Sequence, residues 1–130
     1  MAFEIRYING GEGIECLISG RAHTRELVKI NEEIYSDPHL TRQKYQIVDL
    51  TDLESVEVND RDIIQIAEMD KAAAKANPDI VIAVVAPGDL EYGLSRIWRA
   101  LVDDSGFETR IFRDRESADR WIEELLSGRE

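Results

Sequence analysis

The patterning of this 130-residue chain predicts a single α/β domain: a five-stranded mixed, mostly parallel sheet with four helices, in the order β-β-α-β-α-β-α-β-α. Three observations carry the prediction. Ile80, Val81, Ile82, Ala83, Val84 and Val85 form a continuous apolar run, the pattern of a central parallel strand buried on both faces. Two segments near the start alternate with period two, and four later segments switch to the three-to-four spacing of helices. No Pro/Gly/Ser-rich linker, repeat or low-complexity tract interrupts them, so residues 1–130 read as one domain. A domain of this size hides roughly two thirds of the surface its unfolded chain exposes, enough for one core.

Phe3, Ile5 and Tyr7 alternate with Glu4 and Arg6 and lead into Asn9, Gly10 and Gly11, residue types that take positive φ at low cost. A second strand, 13–19, follows at once, so the pair reads as an antiparallel hairpin with the first strand at the sheet edge. Leu27, Ile30 and Ile34 line one helix face, with Thr24 as a candidate cap and Pro38 as the stop. Residues 45–50 form the third strand. Asn59 and Asp62 have capping-box spacing and open a helix whose inward face carries Ile63, Ile66 or Ala67, and Ala73, ended by Asn77 and Pro78. After the apolar run, Pro87, Gly88 and Asp89 start a helix, capped by Asp89, with Leu90, Leu94, Ile97, Trp98 and Leu101 on one face. Strand 107–112 and helix 117–126, capped by Asp114 and packing Ala118, Trp121, Ile122 and Leu125, complete the order.

Lys and Arg total 16 against 27 Asp and Glu, a formal net charge of -11. Such a field repels phosphate backbones, and the basic residues are dispersed among acids, which argues against nucleic acid and for a basic protein partner if the charge is used. Cys16 is the only cysteine, which excludes an internal disulfide and a four-cysteine metal site; alternation puts it beside Ile14 and Ile18 as an inert core thiol. Nothing reads as a secretory signal, and no apolar stretch approaches the roughly twenty residues that span a bilayer. A cytoplasmic location without stable membrane insertion is the expectation.

Catalytic and cofactor signatures are thin. His23 and His39 lie on either side of the first helix, with no carboxylate or second histidine at a converging spacing, so no metal is expected. The glycines at 10 and 11 are followed by a strand rather than a helix, and Gly88 and Gly93 lack the Lys-Ser or Lys-Thr pair of a phosphate loop. Gly93 costs up to about 1 kcal/mol inside a helix, which close packing or room for a ligand would explain. Asp49 and Asp52 lie near a strand end, where open α/β sheets bind ligands, but carboxylates there more often cap turns. A phosphoreceiver site would need further acids and a lysine after a later strand, where this chain has Arg113 and Asp114. The chain therefore reads as a binding protein without cofactor, not an enzyme.

Together with the order of elements, the phrases from Tyr45 to Leu53 (YQIVDLTDL) and from Ala83 to Leu94 (AVVAPGDLEYGL) resemble the STAS domain superfamily, in particular its SpoIIAA-like group, over nearly the whole chain. The resemblance implies this type of sheet, no cofactor, and regulation through protein contacts, as for antagonists that bind an anti-sigma kinase. It also implies a fold similar to that of some lipid-binding domains. Regulatory members carry Asp-Ser-Ser-Gly-Leu at the start of the helix after the third strand. Here Asn59, Asp60, Arg61, Asp62 and Ile63 stand in those positions, so the phosphoacceptor hydroxyl is missing. The resemblance places a partner surface at Asp60 and Arg61, with Thr51 and Ser55 just before them; the plainer reading of Asp60 and Asp62 is that they favour a helix start. The alternative is a small apolar ligand or lipid between sheet and helices, near Tyr92, Gly93 and Trp98.

Overall fold

The computed structural model describes residues 2–36 and 38–129. Strands β1 (Ala2–Ile8) and β2 (Gly13–His23) form the expected antiparallel hairpin, with Ile5 opposite Cys16. Its turn places Asn9, Gly10 and Gly11 successively at positive φ (54°, 69° and 96°), which explains the residue types found there. β3 (Tyr45–Asp49) pairs parallel with β2, β5 (Val81–Val85) with β3, and β6 (Glu108–Phe112) with β5. The order β1-β2-β3-β5-β6 puts β1 at one edge.

The sheet has six strands rather than five. β4 (Leu53–Glu57) lies parallel to the second half of β2, at Gly20–His23, where a register shift follows Gly20. β2 therefore runs beyond Ser19, serving β3 with its first half and β4 with its last residues. In Leu53-Glu54-Ser55-Val56-Glu57, charged residues break the alternation that would mark a strand, so pairing with β2 decides its structure.

Helices α1 (Thr24–Ile34), α3 (Asp60–Ala76), α4 (Asp89–Val102) and α5 (Arg115–Ser127) match the four expected. A fifth, α2 (His39–Arg42), is one turn long, too short to leave a periodicity. Two expected caps are replaced. His23 and Gly88 occupy the cap positions of α1 and α4 without side-chain bonds. Thr24 instead interacts with Asp62 at the start of α3, and Asp89 Oδ1 pairs with Arg113 at 2.9 Å. The caps at Asn59 and Asp114 form as expected.

Alternation divides the core between the two faces of the sheet. Val81, Ala83 and Val85 point to α5, packing with Ile47, Phe112, Ala118 and Ile122. Ile82 and Val84 point the other way, with Ala73 and Ala74 of α3; Ile14, Cys16 and Ile18 extend that face beneath Ile30 and Ile34 of α1. Each such Ile or Val stabilises by about 1.5–3 kcal/mol on full burial. Three long helices thus cover one face, and α5 covers the other. On α4 the inward stripe is narrower than expected: Leu90 and Ile97 are 61% and 45% exposed, while Ser95 and Val102 are buried.

Candidate functional site

Beneath α1, α3 and α4 the sheet leaves a cavity of about 160 Å³. Ile18 of β2, Val48 of β3 and Val84 of β5 form its floor; Ile30 of α1, Ile66 of α3 and Leu94 of α4 contribute to its walls. Against this apolar background stand Asn31, Gln46, Ser95, Glu91 and Asp70.

Asp70 is 4% exposed, and helical geometry puts it there: it lies three residues after Ala67 and four before Ala74, both buried on the inward stripe of α3. Its Oδ1 accepts from the Tyr35 hydroxyl at 2.5 Å and from Asn31 Nδ2 at 3.4 Å; its Oδ2 accepts from Trp98 Nε1 at 2.7 Å. Gln46 Nε2 donates to the Tyr35 oxygen at 3.3 Å and to Gln43 Oε1 at 2.8 Å, and Gln43 in turn donates to the Ile34 carbonyl. The network ties β3 to α1, α3 and α4. Burial pushes the Asp70 carboxyl up to about 6, outweighing the three donors that favour its charged form. Burial, then the Asp70 charge, holds the Tyr35 hydroxyl well above the usual tyrosine range. Cys16, 1% exposed in the cavity floor, is pushed up to about 12 by burial and then by nearby carboxylates, so its thiol is not nucleophilic at neutral pH.

The opposite face also buries carboxylates, but around a cation. Arg115, the first residue of α5, meets Glu15 at 2.5 Å, Asp49 at 3.1 Å and Asp119 at 2.9 Å. Burial opposes its charge, yet the bonds to Asp119, Glu15 and Asp49 prevail and hold the guanidinium above its ordinary pKa. Asp49, at the strand end where such sheets bind ligands, is occupied by this pairing and by the Thr51 hydroxyl and N–H at 2.5 and 3.0 Å. Among the described residues no three His, Cys, Asp or Glu side chains converge as metal ligands. His23 does meet a carboxylate, Glu57 at 3.0 Å, because the β2–β4 register sets the two residues opposite each other.

No protein-family model matches the chain, and no curated protein does. Solved structures do. An uncharacterised DUF3478-family protein with a SpoIIAA-like fold, from Shewanella loihica PV-4, covers 93% of this chain with 92% of its own, at 15% identity and a TM-score of 0.55. The anti-sigma factor antagonist SpoIIAA in its unphosphorylated form covers 96% with 98% of its own, at 10% identity and a TM-score of 0.64. The chain has a SpoIIAA-like fold.

Within this SpoIIAA-like fold the anticipated residues separate into two groups. Trp98 lies in the cavity wall. Tyr92 is outside it, half-buried, its ring 3.9 Å from the Arg113 guanidinium. Gly93 faces solvent, and a Cβ there would meet nothing within 4 Å, so neither tight packing nor ligand space accounts for this glycine. Asp60 and Arg61 are exposed in the first turn of α3, beside the Asn59–Asp62 capping box with its bonds of 2.9 and 3.0 Å. The backbone bond from Asn59, then Thr24, lowers the Asp62 pKa. Thr51 is exposed in the turn after β3, and Ser55 is half-buried in β4 opposite Arg21. No hydrogen bond or ion pair joins these four residues among those described. Asp70 was the residue that sequence reasoning missed, although an acid on an otherwise apolar stripe is the signal that marks it.

No helix among the described residues is long and apolar enough to cross a membrane.

Proposed function

We propose that the protein is a non-enzymatic binding module that holds a small, mainly apolar molecule in the cavity between its sheet and α1, α3 and α4. The observation that carries this reading is the cavity itself: about 160 Å³, apolar in nearly all its lining, with a hydrogen-bonded polar cluster at one side. Interiors are normally packed without such voids, and a dry apolar cavity of roughly 150 Å³ accepts a benzene-sized molecule. Drug-sized ligands need roughly 300 Å³ or more, so the occupant is compact. The chemistry around it is that of binding, since the one thiol is buried and protonated and the carboxylates of the other face are committed to Arg115.

The direct test is a titration with toluene, followed by the fluorescence of Trp98 in a protein whose other tryptophan, on the opposite face, is changed to Phe (Trp121→Phe). A saturable response is expected, and Ala22→Leu, which puts three more carbons into the space, should abolish it. A linear, unsaturable response would sink the reading.

A second reading, a protein partner at the start of α3, rests on a different feature. Asp60 and Arg61 are exposed there and Ile64, one turn on, is 48% exposed, leaving an apolar side chain flanked by charge. The similar anti-sigma factor antagonist makes a regulatory contact a natural role for such a surface, without the phosphoserine switch, because residues 59–62 contain no hydroxyl.

A further inference from the structure

We infer that the cavity selects an amine: a compact apolar body carrying one ammonium group, which pairs with the carboxylate of Asp70. The inference rests on the cavity being a binding site and adds the chemical class of its occupant.

Charge sets the class of the occupant. Two acidic side chains, Asp70 and Glu91, stand in the lining, and no Lys, Arg or His does. Every partner that Asp70 has is neutral: a phenol from Tyr35, an amide from Asn31 and an indole N–H from Trp98. The other groups facing it do not restore the balance. Cys16 approaches from β2 and Tyr35 from the end of α1, both neutral at pH 7, and Gln46 on β3 and Ser95 on α4 do not titrate; Glu91 also lines the cavity, but its carboxylate is turned back to Gly88 at the start of α4. A buried carboxylate is ordinarily paired with a cation, as Glu15 and Asp49 are with Arg115 on the other face. Among the described residues no cation pairs with Asp70, and the space beside it is apolar. Asp70 has room for the bond: three donors occupy two oxygens that together offer about four acceptor sites. An ammonium on an apolar body satisfies both the charge and the lining, whereas a carboxylate of equal size meets repulsion from Asp70. The acidic field of the whole chain raises the local concentration of cations in the same sense.

Three probes of nearly equal shape separate the possibilities: benzylamine (cationic at neutral pH), toluene and benzoate. Binding is followed through the Trp98 indole N–H resonance, whose donor sits 2.7 Å from Asp70 Oδ2. At pH 7 benzylamine is expected to bind at least about tenfold more tightly than toluene, and benzoate not measurably, as suits a desolvated charge pair. Asp70→Asn should abolish the preference for benzylamine over toluene, read as the ratio of the two affinities in the same variant. The wild type supplies a check that needs no variant. With Asp70 titrating at about 6, its ionised fraction falls about tenfold between pH 7 and pH 5, and benzylamine affinity should fall with it while toluene affinity stays level. Equal affinity for toluene and benzylamine, or a benzylamine affinity independent of pH over this range, would overturn the amine assignment and leave the cavity as an apolar site. Failure of all three probes to bind would overturn the cavity reading with it.

Discussion

The two faces of this sheet bury the same functional group in opposite ways. On the α5 face, Glu15 and Asp49 converge on Arg115, and the carboxylates are satisfied by a charge from within the chain. On the face covered by α1, α3 and α4, Asp70 is surrounded by three neutral donors and the apolar lining of the cavity. Every carboxylate oxygen of Asp70 has a hydrogen-bond donor, as Glu15 and Asp49 have theirs, but charge is balanced on the α5 face only. A paired buried carboxylate is explained by the fold it holds together. An unpaired one is costly to keep ionised, and its presence calls for a partner or a change of protonation.

The largest expected effect probes the balanced face. Arg115→Ala leaves Asp49 without its cation and Glu15 with only the longer Arg6 contact at 3.4 Å, and is expected to cost about 3–4 kcal/mol, read as a loss of denaturant midpoint at unchanged slope. A loss below about 1 kcal/mol would mean that Glu15 and Asp49 reach solvent easily and that the contrast between the faces is weak. The next effect belongs to Asp70. Its folded pKa is raised, so the protonated form is favoured by folding: its contribution is fully present below the unfolded pKa near 3.8 and lost as pH rises through about 6. Relative to Asp70→Asn, which cannot titrate, the wild type should lose about 3 kcal/mol of stability between pH 3 and pH 7. Parallel stability curves for the two proteins over that range would remove the charge imbalance on which the comparison rests. The smallest effect sharpens where the cavity ends. Gly93→Ala places its methyl in open space on the outer side of α4 and should stabilise the protein by up to about 1 kcal/mol without altering toluene affinity. A fall in that affinity would mean that the outer side of α4 contributes to the site.

Much of the frame was legible because it depends on local rules. The apolar run at 80–85 could only be a strand buried on both faces, and the spacing of Asn59 and Asp62 announced a capping box that forms as read. Cys16 fell on the core side by simple alternation. β4 was not legible, since its charged residues hide the pattern and a long-range pairing with β2 supplies the order. Leu90 and Ile97 read as inward because the apolar residues of α4 span more than the face it buries. The candidate site was half visible: Trp98 was singled out, but Asp70 was lost among 27 acids, and its importance depends on Tyr35 and Trp98, which only the tertiary fold brings to it.

The pairing of β2 with two successive strands also governs how quickly the chain reaches its native state. Only the β1–β2 hairpin joins neighbouring segments; every parallel pairing waits for a stretch of chain tens of residues away, with a helix laid down in between. Closing such loops precedes the contacts that reward them, which places folding of this topology on the slower, millisecond-and-longer side of small domains rather than among the microsecond helical bundles. Until residues 45–57 arrive, the long β2 strand has only its hairpin mate, and its remaining edge is open to other chains. The interval between synthesis and completion of the sheet is thus the period in which this protein is most exposed to misassembly.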